Sequence, residues 1–294
     1  ILESLIKECN VILVVSQPDK EKDRKGAFVS TPIKQIALSH NIEVYQPTKI
    51  KEEYQKIIDA NPDIIITCAY GQIIPESLIN YPHLGCINVH GSLLPRLRGG
   101  APIHHAIING DDETGITIMY MDKHMDSGDI IAKRSLPIGP NDTLDIVYEK
   151  MSKLGASLLM ETLPSIVAGT NNRIKQDEKY VTFGYNITKE EEKINFNNPS
   201  IKVHNLIRGL SSIPGAYCFL KEKRLKIYQS ELTNTKSTTP PGTIEKIDKT
   251  GIYISTNDNL LKIIDIKLEG KKRCLVKDFV NGINIKDYLG KVLK

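Results

Sequence analysis

Cysteine is sparse and unpatterned in this chain of 294 residues. Its five cysteines (Cys9, Cys68, Cys86, Cys218 and Cys274) form no C-x-x-C and no Cys/His spacing of a metal site. That excludes a zinc ribbon or a disulfide framework and fits a reducing cytoplasm. Long hydrophobic runs are also missing. "VILVV" and "DIIIT" are strand-sized, well short of the roughly 20 apolar residues of a membrane span. The opening "ILESLIKECN" carries neither the basic region nor the cleavage site of a secretory signal, so export is not expected. It has no initiator Met either, so the natural start is expected elsewhere. No G-x-G-x-x-G follows a strand and no G-x-x-x-x-G-K-[ST] occurs, which excludes a dinucleotide fingerprint and a P-loop. "HGSLL" is not the G-x-S-x-G elbow, so Ser92 is a poor covalent nucleophile. His104 and His105 are adjacent, and a helix would point them about 100° apart, so they make no chelating pair.

What is present reads as a globular enzyme in two parts. Hydrophobic residues make up 40 % and charged residues 25 %, an ordinary globular balance. The first half alternates. "VILVVS", "IEVYQ", "DIIITCA" and "LGCINVH" have strand character. "TPIKQIALSHN", with Thr31 as N-cap, "IKEEYQKIIDA", "PESLIN" and "APIHHAIING", stopped by Gly110, have helix character. Two further strands, "GITIMYMD" and "DIIAKRSLPI", precede a long amphipathic helix from about Asp142 to Gly169. Such alternation implies a mostly parallel sheet covered on both faces. After a charged connector, short β-rich runs recur at intervals of about ten from Asn205 onward, as in a small all-β barrel or sandwich. The expected division is 1–188, a connector at 189–204, and 205–294. Charge follows it: residues 205–294 hold 17 Lys and Arg against 9 Asp and Glu, a net of +8, whereas residues 1–204 carry −4. A basic appendage on an acidic body suits a polyanionic partner, and equally a merely solvated surface.

One stretch concentrates the chemistry. In "NVHGSLLPRLRGGAP", Asn88 and His90 lie two apart on a strand and therefore share a face. They stand at the carboxyl end of a parallel strand, where open α/β sheets place ligands. Asp126, in "MDSGDI", follows 38 residues later in a Gly-containing turn. An amide donor, an imidazole and a carboxylate could converge there on a developing oxyanion. By spacing alone, His90 could instead cap the strand or bond the turn.

"INVHGSLLPRLRGGAPIHHAIINGDDETGITIMYMDKHMDSGDII" resembles the methionyl-tRNA formyltransferase family, with its N-x-H-x-S-L-L-P signature and downstream Asp-x-Gly. "VVSQPDKEKDRKGAFVSTPIK", "CAYGQIIP" and "IRGLSSIPGAY" extend the resemblance over essentially the whole chain. It implies a Rossmann-like α/β catalytic domain followed by an OB-like barrel. It implies formyl transfer from 10-formyltetrahydrofolate to the α-amino group of Met on initiator tRNA, by direct attack through a tetrahedral intermediate, with no metal. Asn88, His90 and Asp126 take the catalytic positions. Ser92, Leu93, Leu94 and Pro95, with Tyr70, Gln72 and Ile73, take the folate-contacting ones. Arg24, in a basic loop, and Lys271, Lys272 and Arg273 face tRNA. Arg96 and Arg98 are left between folate, RNA and solvent. The partners implied are initiator methionyl-tRNA and the folate co-substrate, for a cytoplasmic monomer without membrane attachment. The loop departs from the family's Pro-x-Gly-Arg-Gly. The family's first strand and G-T-P-x-F-A precede the helix matched by "ILESLIKE", so a sheet short of one strand is expected. A formyltransferase for a sugar amine or glycinamide ribonucleotide, and an inactive tRNA-binding fragment, are the alternatives.

Overall fold

The computed structural model describes residues 1–21, 28–282 and 284–294. In chain order the elements are α1 (Leu2–Glu8), β1 (Val14–Val15), β2 (Lys20–Glu21), β3 (Phe28–Val29), α2 (Pro32–Ser39), β4 (Val44–Tyr45), α3 (Gln55–Asp59), β5 (Ile65–Thr67) and α4 (Glu76–Ile79). Then come β6 (Cys86–His90), α5 (Pro102–Asn109), β7 (Glu113–Tyr120), β8 (Ile130–Pro137), α6 (Leu144–Val167) and α7 (Ser200–Gly209). The chain continues through β9 (Ala216–Leu220), β10 (Lys223–Lys236), β11 (Ile244–Asp248), β12 (Gly251–Ser255), β13 (Asn259–Leu268), β14 (Cys274–Leu275) and α8 (Val276–Val280). Local signals explain several limits. Thr31 Oγ1 accepts from the Lys34 amide at 3.3 Å with Pro32 in the first turn, and Gly110, at φ 78°, ends α5 in the left-handed region.

Two compact units result, one made of residues 1–100, 115–136 and 150–183, the other of 101–114, 137–149 and 184–294. In the first, β1 pairs in parallel with β4, and a second sheet runs in the order β5-β6-β7-β8. Within it β5 and β6 are parallel and β6 and β7 antiparallel. The expected mostly parallel sheet is present as the parallel pairs β1–β4 and β5–β6, with β7 antiparallel to β6; among the described residues no backbone ladder joins the two pairs. Strand β6 has two working faces. Val89 faces α6, which comes close because residue 155 is glycine: a Cβ there would sit 3.3 Å from Val89 Cγ1. Asn88 and His90 point the other way.

In the second unit, five antiparallel strands in the order β11-β12-β13-β10-β9, with β14 beside β13, curl around Ala216, Cys218, Leu225, Ile227, Ile254, Leu261 and Ile263. The last residues link the two edge strands. Lys294 and Phe219 exchange backbone hydrogen bonds at 2.6 and 3.0 Å, while the Leu293 amide donates to Gly242 at 2.8 Å and the Ile244 amide to Lys291 at 2.9 Å. These bonds bridge the two edge strands, an arrangement that fits an OB-like barrel. The boundary expected at residue 205 falls inside α7, whose Val203 and Ile207, with Leu210 just after the helix, pack into the core of the barrel. Its apolar stripe is disguised by His204, Asn205 and Arg208, polar residues buried on internal partners. Arg208 donates to the carbonyls of Gly139 and Asp142 at 3.1 and 3.0 Å, and His204 Nδ1 meets Ser230 Oγ at 2.9 Å.

Candidate active site

At the carboxyl end of β6, Asn88, His90 and Asp126 come together. Strand register places Thr67 beside Asn88, and the Thr67 hydroxyl donates to Asn88 Oδ1 at 2.9 Å. This fixes the amide so that Nδ2 faces Asp126 Oδ1, 3.3 Å away. His90 is 5 % exposed. Its Nε2 lies 3.0 Å from the Leu97 carbonyl; a carbonyl only accepts, so this nitrogen carries a proton. Its Nδ1 faces Asp126 Oδ1 at 3.6 Å, too long for a hydrogen bond in the free protein. Attraction across that gap requires a second proton on the ring. The other Asp126 oxygen accepts from the Gly99 amide at 2.8 Å. Asp122 accepts from the His124 amide and the Ser127 hydroxyl, and Asp129 pairs with Arg173; neither contacts His90.

Two residues of this site hold left-handed backbone conformations: Leu97 at φ 57° and Asp126 at φ 48°. For a bulky residue such as leucine that conformation costs about 1–2 kcal/mol. Neighbouring groups hold both in place. The Leu97 amide donates to Thr182 Oγ1 at 2.9 Å, the Arg98 amide to the Thr182 carbonyl at 2.9 Å, and Gln176 Nε2 to the Asp126 and Gly128 carbonyls at 2.8 and 2.9 Å. The glycine of Asp-x-Gly has a steric reason, because a Cβ at Gly128 would collide with the Tyr120 carbonyl oxygen.

The residues expected to contact folate divide into committed and available groups. Ser92 donates to the Arg96 carbonyl at 2.6 Å, and its own carbonyl accepts from Thr117 Oγ1 at 2.7 Å. Leu94 is fully buried with Met119 and Ile130, so it builds the floor of the turn. Gln72 ties loops together, accepting from the Ile50 amide at 2.8 Å and donating to Gln17 Oε1 at 3.3 Å. Leu93 and Pro95 are half-buried and Ile73 is 85 % exposed. Among the described residues the Tyr70 hydroxyl is buried without a hydrogen-bond partner, and burial pushes its pKa up. Arg98, left open by sequence, points inward: its guanidinium forks between Gln176 Oε1 at 3.0 Å and Glu178 Oε1 at 2.8 Å.

Of the residues expected to face RNA, Arg24 lies outside the described residues. Lys271 and Lys272 are exposed on the turn before β14. Arg273 is engaged: it grips Asp265 with contacts of 2.7 to 3.1 Å and lies 4.1 Å over the Tyr228 ring. Sequence reasoning passed over Thr67, Thr117 and Gln176. Thr67 leaves one trace, as the polar residue closing an apolar strand. Gln176 leaves none, because its partners are 50 and 78 positions away.

Known proteins match this arrangement over nearly its full length. Residues 2–163 fit the model of the family described as formyl transferase, and residues 186–284 that of the formyl transferase C-terminal domain. The methionyl-tRNA formyltransferase of Staphylococcus aureus strain MW2 is 48 % identical over 285 residues, 96 % of this chain and 92 % of that protein. Among solved structures, the sugar 3N-formyl transferase WlaRD superposes with a TM-score of 0.65 at 23 % identity, over 92 % of this chain and 93 % of its own. HypX from Aquifex aeolicus does so with a TM-score of 0.67 at 17 % identity, over 96 % of this chain and 50 % of its own. At these identities the two structures speak for the fold alone. With matching models over both parts and 48 % identity along 96 % of its length, the chain belongs to the methionyl-tRNA formyltransferases of the formyl transferase family.

Proposed function

We propose that this protein transfers the formyl group of 10-formyltetrahydrofolate to the α-amino group of methionine on initiator methionyl-tRNA, the step that prepares this tRNA for translation initiation in the cytoplasm. The convergence of Asn88, His90 and Asp126 in a chain of this family carries the reading. When the amine nitrogen attacks the formyl carbon, negative charge develops on the formyl oxygen and positive charge on the nitrogen. Asn88 has one amide hydrogen aimed at Asp126 and a second free to donate to that oxygen. His90, with Nε2–H held by Leu97, is a stationary positive charge beside it when doubly protonated. Asp126 balances that charge and is the base within reach of the attacking nitrogen. The proton it takes passes to N10 of the folate as the carbon–nitrogen bond breaks.

For the folate co-substrate, the half-buried Leu93 and Pro95 supply apolar surface. The unpartnered Tyr70 hydroxyl and the exposed Ile73 supply a polar tip and a second apolar contact on the other loop. Ser92, Leu94 and Gln72 shape these loops from behind. Lys271 and Lys272, with Arg24 on the basic loop, contact tRNA phosphates, which position the substrate without reading its bases. Arg273 holds their turn. The test is folate-dependent formylation of charged initiator tRNA, compared with charged elongator tRNA, a sugar amine and glycinamide ribonucleotide. Initiator tRNA is expected to be preferred, and Asn88→Ala, His90→Ala and Asp126→Ala to lower kcat at least about 10²-fold each. Preference for another amine, or a wild-type rate in any of the three variants, overturns the corresponding assignment.

A further inference from the structure

Residues 172–180 are exposed on the surface with one exception, Gln176. Both ends of its amide are used. Nε2 donates to two carbonyls of the Asp126 turn, those of Asp126 and Gly128, and Oε1 accepts from Arg98 Nε at 3.0 Å. Arg98 is 5 % exposed and stands between two residues that touch the reacting groups. Leu97 accepts from His90 and Gly99 donates to Asp126. A closed circuit results: Asp126 to Gly99, Arg98 to Gln176, and Gln176 back to the Asp126 backbone. Of the two left-handed residues, Asp126 lies on this circuit and Leu97 is joined directly to its Arg98, so its bonds oppose the relaxation of both.

We infer that Gln176 is a positioning residue for formyl transfer, setting the Asp126 carboxylate against His90 and Asn88 through the Asp126–Gly128 carbonyls and the Arg98 side chain. The inference rests on the assignment of Asp126 to the reaction. The segment bearing Gln176 brings no reacting group of its own; it determines where the carboxylate stands. A carboxylate 3.6 Å from the imidazole is close to contact, and a shift of about 1 Å in such a group can cost about 10²-fold in rate.

The decisive variants are Gln176→Leu, which removes both kinds of bond, and Gln176→Glu, which keeps an acceptor for Arg98 but sets an oxygen against the two carbonyls. Glu178→Gln is the control, because it weakens the outer ion pair of Arg98 and leaves Gln176 bonded. Steady-state formylation gives kcat and KM, and ¹⁵N NMR of the His90 ring in the protein alone reports which nitrogens are protonated. Both Gln176 variants are expected to lose ten- to hundred-fold in kcat, with KM for both substrates within about two-fold. The Nδ1 signal should be displaced in both, and Glu178→Gln should stay within about two-fold of wild type with an unmoved ring. Wild-type kcat in Gln176→Leu overturns the inference. So does a defect confined to KM, an unmoved His90 ring in both Gln176 variants, or an equal loss in Glu178→Gln. If Gln176→Leu does not fold, Gln176→Glu with the ring signals decides alone. If the wild-type protein forms no formyl-methionyl-tRNA, the functional reading fails, and the ring signals still judge the positioning.

Discussion

At the scale of single residues, the site depends on side chains whose orientation is forced by neighbours. Asn88 can present its NH₂ to the site because Thr67 donates to its oxygen. Thr67→Val keeps the shape and removes the donor, which leaves the amide free to turn over. The expected result is a roughly ten-fold lower kcat with an almost unchanged Tm, checked by steady-state kinetics beside thermal melting. Gly128→Ala should act differently. A methyl group at this position meets the Tyr120 carbonyl oxygen, so the turn must move and carry Asp126 with it. Both Tm and kcat are expected to fall, and a variant equal to wild type in either would show that the turn has room to spare. The pair Asn88 and His90 was legible in the sequence because the strand period alone puts both on one face. Gln176 was not: it is one glutamine in a polar run, and only folding brings it beneath Asp126.

At the scale of elements, the strongest local signals met the least opposition. The helix from Thr31 and the stop at Gly110 follow from a hydroxyl cap and a left-handed glycine, which act within a few residues. Helix α7 escaped because its buried His204, Asn205 and Arg208 are matched by partners far along the chain. The barrel has a comparable polar anchor. Glu245 accepts from the amides and hydroxyls of Thr238 and Thr239 and from the Ser255 hydroxyl. Burial alone would raise its pKa, but these donors outweigh it and hold the carboxyl at about 2. An unfolded glutamate titrates near 4.3. Because the folded value is the lower one, the stabilisation is complete above about pH 4.3 and is lost as pH falls towards 2. Melting at pH 5 and pH 2.5 should therefore show a larger loss of Tm in wild type than in Glu245→Gln. Equal losses would remove Glu245 from the acid sensitivity of the barrel.

At the scale of the whole molecule, charge is the property read directly from sequence. The excess of +8 over residues 205–294 suits a polyanion, yet its members are not equivalent. Lys271 and Lys272 are exposed, whereas Arg273 neutralises Asp265, which is 8 % exposed. Replacing both lysines by alanine should weaken tRNA binding and reduce the log–log salt slope by roughly 1–2, at an unchanged Tm. Arg273→Ala should instead lower Tm, because it leaves a buried carboxylate without its partner. Binding titrations from low to moderate salt distinguish the two. An unchanged slope in the double lysine variant would rule out phosphate contact at this turn.

Sequence by itself determined the family, the alternating α/β plan, the β-rich basic portion and the strand that bears Asn88 and His90. These rest on period, on caps and on short motifs, whose physics acts over a few neighbouring residues. Tertiary structure alone decided which groups hold the site in place. Thr67 against Asn88, Arg98 turned inward, Gln176 under the Asp126 turn and the bridging of the edge strands by the last residues all join positions distant along the chain. Their hydrogen bonds depend on where folding brings each backbone, and no local pattern encodes that meeting.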